Sequence, residues 1–265
     1  MKIDFFKYEG TGNDFVIIDN RELTFQKNNK TLIKNICDRK KGVGADGLIL
    51  LENHNELDFS MIYFNADGSE SGFCGNGSRC ITHLANDLNL IKENAVFNAI
   101  DGVHKSRIIN GNISVKMNDI PISNIFRYND SFDTTFIDTG SPHLIRKYDN
   151  INSIDIVKEA TLLKRKYYEY TKGLNFNFCE ISGSKCKLRT YERGVENETL
   201  SCGTGAVASA IFLKDSGLID SEKIEVVMKG GTLLVDFKNK ENTYSKIWLS
   251  GAVNMVFKGL YNKFE

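Results

Sequence analysis

Any fold for this chain has to accommodate an internal repeat. Thr11-Gly12 recurs as Thr139-Gly140, and 139 less 11 is 128. At the same spacing Tyr63 returns as Tyr191, Glu70 as Glu198, Cys74-Gly75 as Cys202-Gly203, and Gly77 as Gly205. Asp87, Leu90 and Ile91 likewise return as Asp215, Leu218 and Ile219, and Gly102 as Gly230. Unrelated sequences match by chance at about one position in fifteen, so isolated identities carry little. Their order carries more: Thr-Gly, a strand ending in Tyr, then Cys-Gly-x-Gly opening a helix. A chain of 265 residues, at about 150 per domain, therefore reads as two structurally equivalent halves.

The local signals give both halves the same character. Short alternating or β-branched runs predict strands at Phe15 to Asp19, Leu48 to Leu51, Phe59 to Phe64, Ile113 to Met117, Cys186 to Tyr191, Leu233 to Phe237 and Lys246 to Leu249. Cys80 to Asn89 sets Ile81, Leu84, Ala85 and Leu88 on one helical face. Ala206 to Lys214 is apolar almost all round, as in a helix enclosed by other elements. Ile151 to Arg165 predicts a third, more polar helix on the surface. The expected fold class is α/β, mixed α+β in detail, with strands around one apolar helix in each half. The expected domains are 1–120, joined by a C-terminal strand at 255–265, and 121–254. The polar stretch Asp119 to Asp133, with one proline, supplies the linker.

Composition removes several classes of function. Lys plus Arg equals Asp plus Glu at 34 each, so the chain lacks the basic footprint of a nucleic-acid binder. No apolar run reaches the length of a membrane span, and Met1 to Gly10 lacks the apolar core of a secretory signal. A cytoplasmic protein is expected, with its 6 cysteines reduced. Gly42-Val43-Gly44-Ala45-Asp46-Gly47 has the spacing of a dinucleotide fingerprint, but it follows charged Asp38-Arg39-Lys40-Lys41 and precedes a strand, the reverse of the required context. The cysteines form no C-x-x-C pair, which argues against a structural zinc site. Neither a cofactor nor a metal is expected.

The chemistry concentrates at the two helix starts. Cys74, in Cys74-Gly75-Asn76-Gly77, and Cys202, in Cys202-Gly203-Thr204-Gly205, each open the most apolar helix of their half. A helix N-terminus presents free N–H groups and partial positive charge, which bind anions and favour a thiolate. An ordinary thiol is only about 3% ionised at pH 7, so such help matters. Close packing of a buried Cys and Gly would account for one such motif; two equivalent copies point to paired acid–base groups. One thiolate and one thiol can remove a proton from one face of a carbon and return one to the other. Asn13 and His143 read equally as structural or substrate-contacting residues. Arg193, which aligns with Asn65 in the repeat, reads as a surface ion pair or a carboxylate clamp.

These residues resemble the diaminopimelate epimerase family, a group of pyridoxal-independent amino-acid racemases. The resemblance runs through Gly10-Thr11-Gly12-Asn13-Asp14-Phe15, Gly42 to Gly47, Phe64-Asn65-Ala66-Asp67-Gly68-Ser69-Glu70 and Cys74 to Gly77. It continues through Gly140-Ser141-Pro142-His143, Tyr191-Glu192-Arg193-Gly194 and Glu198 to Gly205. It implies two pseudo-symmetric domains, each a β-barrel-like sheet around a central helix, with the site in the cleft between them. It implies interconversion of LL- and meso-diaminopimelate, with Cys74 and Cys202 as base and acid and with His143 and Glu192 tuning their protonation. Asn13, Asn65, Asn175, Glu192 and Arg193 are the implied substrate contacts, and Gly75, Asn76, Gly203 and Thr204 the implied carboxylate site. Departures from the family pattern fall at Ser141, where Asn is common, at Gly47, where some members carry Gln, between Arg193 and Cys202, and at Gly251-Ala252-Val253.

Three other readings use the same residues: a racemase of the same mechanism acting on lanthionine, histidine or a proline derivative; a non-catalytic amino-acid-binding protein; and a redox switch in which the two thiols pair. The expected partner is a small amino acid, with no nucleic acid and no membrane, and a homodimer is left open.

Overall fold

The computed structural model describes residues 2–127, 134–167 and 173–262. In chain order the elements begin with β1 (Lys2–Gly10), β2 (Asn13–Asp19), α1 (Lys30–Cys37), β3 (Gly47–Glu52), β4 (Phe59–Asn65), α2 (Gly75–Asp87), β5 (Asn94–Ala99), β6 (Gly102–Ile109) and β7 (Asn112–Lys116). They continue with β8 (Ile120–Pro121), β9 (Ile125–Arg127), β10 (Thr134–Asp138), β11 (Pro142–Lys147), α3 (Ile156–Lys166), β12 (Asn175–Ser182), β13 (Lys185–Glu192) and β14 (Asn197–Thr199). The last are α4 (Gly203–Asp215), β15 (Lys223–Met228), β16 (Gly231–Lys240), β17 (Thr243–Gly251) and β18 (Asn254–Asn262). The chain divides into two compact units, Met1–Val115 with Gly251–Glu265, and Lys116–Ser250.

In the first unit β1 pairs with β18 and β2, β2 runs parallel to β3, β3 pairs with β4, β4 runs parallel to β5, and β5 pairs with β6. Helix α2 packs against β1, β2, β3, β4 and β6. Its Cys80, Ile81, Leu84 and Ala85 join Tyr8, Phe15, Ile17, Ile49, Phe59 and Phe97 in one buried cluster. A second cluster lies under α1, where Leu32, Ile33 and Ile36 meet Val16, Leu48 and Leu50. All six residues of β3 are buried, because the strand is covered on both faces.

The second unit repeats the plan. β10 pairs with β9 and β11, β11 runs parallel to β12, β12 pairs with β13, β13 pairs with β14 and runs parallel to β15, and β15 pairs with β16. Helix α4 is contacted by β10, β11, β12, β13, β15 and β16. That enclosure is why its sequence is apolar all round, with Ala206 through Leu213 all buried. The two central helices are each 13 residues long, and Gly75–Asp87 shifted by 128 is Gly203–Asp215. The parallel pair Phe15↔Gly47 becomes His143↔Asn175 at the same shift.

Local readings needed adjustment in four places. The apolar face at Cys80 to Asn89 and the helix start at Cys74-Gly75 are one element, α2, because the first turn holds the glycines and the packed face begins only beyond them. The expected helix at Ile151 to Arg165 divides into a 3-10 turn at Ile151–Ser153 and α3, which the Asp155 side chain caps through the Lys158 N–H at 3.1 Å. Helix α1 was not expected at all. Its first turn is capped by Asn29, which accepts the Leu32 N–H at 3.0 Å, and tertiary burial of Leu32 and Ile36 holds it. The expected linker contributes strands: β8 pairs with β17 and β9 with β10, so both belong to the second unit. Residues 128–133 of that linker, and residues 263–265 of the expected terminal strand, lie outside the described residues.

Candidate active site

In the first unit, Cys74 is the N-cap of α2. Its backbone is extended (φ −119°, ψ 109°) and its sulfur accepts the Gly77 N–H at 3.4 Å. Helix geometry leaves the Gly75 and Asn76 N–H groups without an intrahelical acceptor. Gly77 lies where a Cβ would stand 2.8 Å from Ile49 Cδ1, so the helix start sits directly on the strands beneath.

Asn13 follows the Thr11-Gly12 turn, whose residues both have positive φ (58° and 84°). Its Nδ2 donates to Asp46 Oδ2 at 2.6 Å, and its Oδ1 faces the Cys74 thiol at 3.9 Å and Asn76 Nδ2 at 3.4 Å. Asp46 is held by Arg39 at 2.7 Å, and Arg39 also grips Asp14 through both Nη atoms. Those bonds, with the one from Lys7, hold the Asp14 carboxyl far below the usual carboxylate range despite its partial burial. Beneath Asn76 lies Arg79, fully buried, whose Nη2 donates to Asn76 Oδ1 at 3.0 Å and to Thr11 Oγ1 at 2.9 Å. Asn65 closes β4 opposite Gly47, with Nδ2 donating to Ser69 Oγ at 3.2 Å. Gly47 has no room for a side chain, since a Cβ there would lie 2.5 Å from the Tyr63 ring.

In the second unit, Cys202 caps α4 with nearly the same backbone (φ −134°, ψ 108°). It is 7% exposed and lies 3.6 Å from Thr204 Oγ1. His143 on β11 is fully buried. Asn177 decides its tautomer: Asn177 Nδ2 donates to the Leu144 carbonyl at 3.4 Å, a group that can only accept, so Nδ2 is also the group 2.9 Å from His143 Nδ1, while Oδ1 takes the Thr190 hydroxyl at 3.0 Å. Nδ1 is therefore an acceptor and the ring proton sits on Nε2. That buried Nε2 has no hydrogen-bond partner among the described residues. Burial, followed by the charge of Arg193, pushes the imidazole down to about 3, so the ring is neutral at working pH and can only donate through Nε2–H.

Asn175 is buried and heavily engaged. Its Nδ2 donates to Ser141 Oγ at 3.0 Å and Pro142 O at 3.2 Å, and its Oδ1 accepts the Arg193 N–H at 3.0 Å. Both of its donors are thus committed to holding the Ser141-Pro142 turn. Glu192 ends β13 half-buried, and the exposed Arg193 follows it, packed over Gly173.

The structure thus places Asn13, Gly75, Asn76 and Cys74 together in the first unit, and Cys202, Gly203 and Thr204 together at the start of α4 in the second. Comparison with known proteins fits this geometry. The family model for diaminopimelate epimerase matches residues 5–118 and 135–256. The chain belongs to the diaminopimelate epimerase family. Among curated relatives, the diaminopimelate epimerase of Flavobacterium psychrophilum is 44% identical over 96% of this chain and 98% of its own. That of Chlorobaculum tepidum is 37% identical over 94% and 98%, and that of Aquifex aeolicus 34% identical over 97% of each. Among solved structures, a PhzF-family phenazine biosynthesis protein from Bacillus anthracis superposes with a TM-score of 0.75 at 16% identity, covering 98% of this chain and 99% of that one. A hydroxyproline epimerase from Agrobacterium vitis gives 0.68 at 12%, covering 98% and 92%. At those identities the structures establish the fold alone, a two-domain mixed α+β architecture.

For this member of the diaminopimelate epimerase family, sequence reasoning passed over Asp46, Arg79 and Asn177 as site residues. Arg79 had a signal: the repeat aligns it with Val207, inside the run Ala206 to Lys214 that is apolar almost all round. Asn177 had a similar one, since its counterpart is the fully buried Ile49. Among the described residues, no helix is long and apolar enough to cross a membrane.

Proposed function

We propose that the protein interconverts LL- and meso-2,6-diaminopimelate by two-base proton transfer at Cα, an isomerase step in the formation of lysine and of meso-diaminopimelate for peptidoglycan. The observation that carries this is the pair of cysteines capping equivalent helices in a chain of this family. One sulfur, as thiolate, takes the Cα proton as the C–H bond breaks. The other, as thiol, delivers a proton to the opposite face, and the two exchange roles in the reverse direction. The helix-start N–H groups of Gly75, Asn76, Gly203 and Thr204, which have no acceptor within their own helices, meet the substrate carboxylate, where charge develops as the proton leaves. His143, neutral and donating from Nε2, favours an anionic neighbour without carrying charge itself, and Glu192 completes the tuning of the thiols. Asn13, Asn65, Asn175, Glu192 and Arg193 hold the substrate, and its second amino-acid head requires such polar partners.

The decisive experiment incubates LL-diaminopimelate with the protein in heavy water and follows stereochemistry and Cα deuteration together. Inversion with deuterium at Cα is expected, and Cys74→Ala or Cys202→Ala should each abolish inversion. Inversion without deuterium, or a single variant with near-normal turnover, would refute two-thiol catalysis. Parallel assays with lanthionine, histidine and hydroxyproline test the substrate. The same reading makes the protein cytoplasmic and acting on a free amino acid; sedimentation of the purified chain tests the homodimer.

A further inference from the structure

A fully buried guanidinium stands behind Cys74, and among the described residues no carboxylate is bonded to it. Arg79 donates to Thr11 Oγ1, Asn76 Oδ1 and, at 3.4 Å, Gly75 O, all neutral acceptors, and its buried Nε has no hydrogen-bond partner among the described residues. A buried charge with no carboxylate bonded to it, only the through-space attraction of Glu9, is costly to the fold. Stability alone gives it no reason, because Val207 fills the equivalent place beside the other catalytic helix start.

The hydrogen bonds around it have one direction. A guanidinium only donates and a carboxylate only accepts. Arg79 at one end and Asp46 at the other therefore fix both intervening amides: Arg79 to Asn76 Oδ1, Asn76 Nδ2 to Asn13 Oδ1, Asn13 Nδ2 to Asp46. Neither amide can flip without setting donor against donor or acceptor against acceptor. The result presents a carbonyl oxygen to the Cys74 thiol, while the Gly77 N–H and the nearby positive charge suit the thiolate. A sulfur that must lose and regain a proton each turnover is thereby met in both forms. The contact with Asn13 is long, at 3.9 Å, and involves a neutral dipole, so the fixed charge outweighs it.

We propose that Arg79 is a positioning residue for Cys74, locking the Asn76–Asn13 amide chain and supplying the permanent positive charge that makes Cys74 the thiolate of the resting protein. This rests on the epimerase reading for its purpose, but not for its test. Other ionisable groups around Cys74 and Arg79 are Cys80, buried on the same helix, and Glu9, whose carboxylate accepts from the Gly12 N–H and from Asn254 Nδ2 at 3.0 Å. His104 stacks on Phe73, the residue before Cys74.

The experiment measures iodoacetamide alkylation of Cys74 against pH in the full chain carrying Cys202→Ala, with the site located by mass spectrometry. Adding Arg79→Met should move the midpoint up by at least one pH unit and slow alkylation at pH 7 by about tenfold, in proportion to the lost thiolate. Arg79→Lys, which keeps the charge, should restore the rate to within about threefold. A folded Arg79→Met chain with an unmoved midpoint would overturn the proposal and leave Arg79 a structural pin. If Arg79→Met does not fold, the unsubstituted Arg79 background decides: Cys74 in the Cys202→Ala chain should ionise at lower pH than Cys202 in the Cys74→Ala chain, and equal or reversed midpoints reject it. No substrate enters these measurements, so failure to turn over diaminopimelate would count against the proposed function and not against this role.

Discussion

The same substitution at two equivalent glycines should have unequal effects. Gly77 and Gly205 both lie in the first turn of a central helix, 128 residues apart. An alanine at either position gains about 1 kcal/mol of helix propensity. At Gly205 the new Cβ would lie 2.5 Å from Asn177 Oδ1 and 3.2 Å from Cys202 Sγ. Asn177 cannot yield without breaking its bonds to Thr190 Oγ1 and His143 Nδ1. Two neutral hydrogen bonds are worth about 2 kcal/mol together, and overpacking adds about 2 kcal/mol more. After the helix gain, Gly205→Ala should cost about 3 kcal/mol. At Gly77 the nearest atoms are Ile49 Cδ1 at 2.8 Å and Met61 Cε at 3.2 Å, both ends of flexible side chains. The clash there costs about 1 kcal/mol and the helix gain offsets it. Thermal unfolding separates the two, because the chain has 1 Trp and Trp248 lies on β17 in the second unit with Gly205. At about 2 to 4 °C per kcal/mol, the fluorescence midpoint of Gly205→Ala should fall by about 6 to 12 °C. Gly77→Ala should move ellipticity and fluorescence midpoints by no more than about 2 °C. Equal shifts for the two variants, or a Gly205→Ala midpoint like the parent's, would show that Asn177 is not held as described.

His143 gives the protein a pH dependence of known sign. Its imidazole is pushed from the ordinary 6.5 to about 3, so the unfolded chain binds that proton more readily; the stability is present above about 6.5 and is lost as pH falls toward 3. Denaturant titrations across that window should show a steeper loss for the parent than for His143→Gln, and parallel curves would contradict the buried neutral ring. Asp46→Ala frees the Asn13 amide to rotate, and loss of about 1.4 kcal/mol of positioning predicts about a tenfold drop in kcat/KM. Because Asp46 is exposed, the melting temperature should stay close to the parent's; an unchanged kcat/KM would remove Asp46 from the site. Asn175→Ala strands Ser141 Oγ, Pro142 O and the Arg193 N–H at once, so a loss of about 2 to 3 kcal/mol should appear in denaturant unfolding.

Much of this protein is written in local pattern. The 128-residue spacing sets out two like units, and alternation marks the strands from Phe15 to Leu249 wherever one face is covered. Cys-Gly-x-Gly at two helix starts marks the proposed acid–base pair, because capping and dipole effects act within a single turn. What stayed hidden depends on contacts between residues distant in sequence. Helix α1 is short and polar enough to pass as loop until β3 and β2 bury Leu32 and Ile36. The charge of Arg79 acts on Asn76 beside Cys74 only once the fold has buried the guanidinium against Thr11. The tautomer of His143 was set by Asn177 from the neighbouring strand, its amide oriented by the Leu144 carbonyl, since a ring proton follows whichever partner the tertiary structure brings to the other nitrogen. Sequence alone singled out the two helix-capping cysteines and the doubled plan, which local motifs and their 128-residue repeat encode. Tertiary structure decided which amide faces the sulfur and where fixed charge is buried, because orientation and desolvation arise only when separate segments pack together.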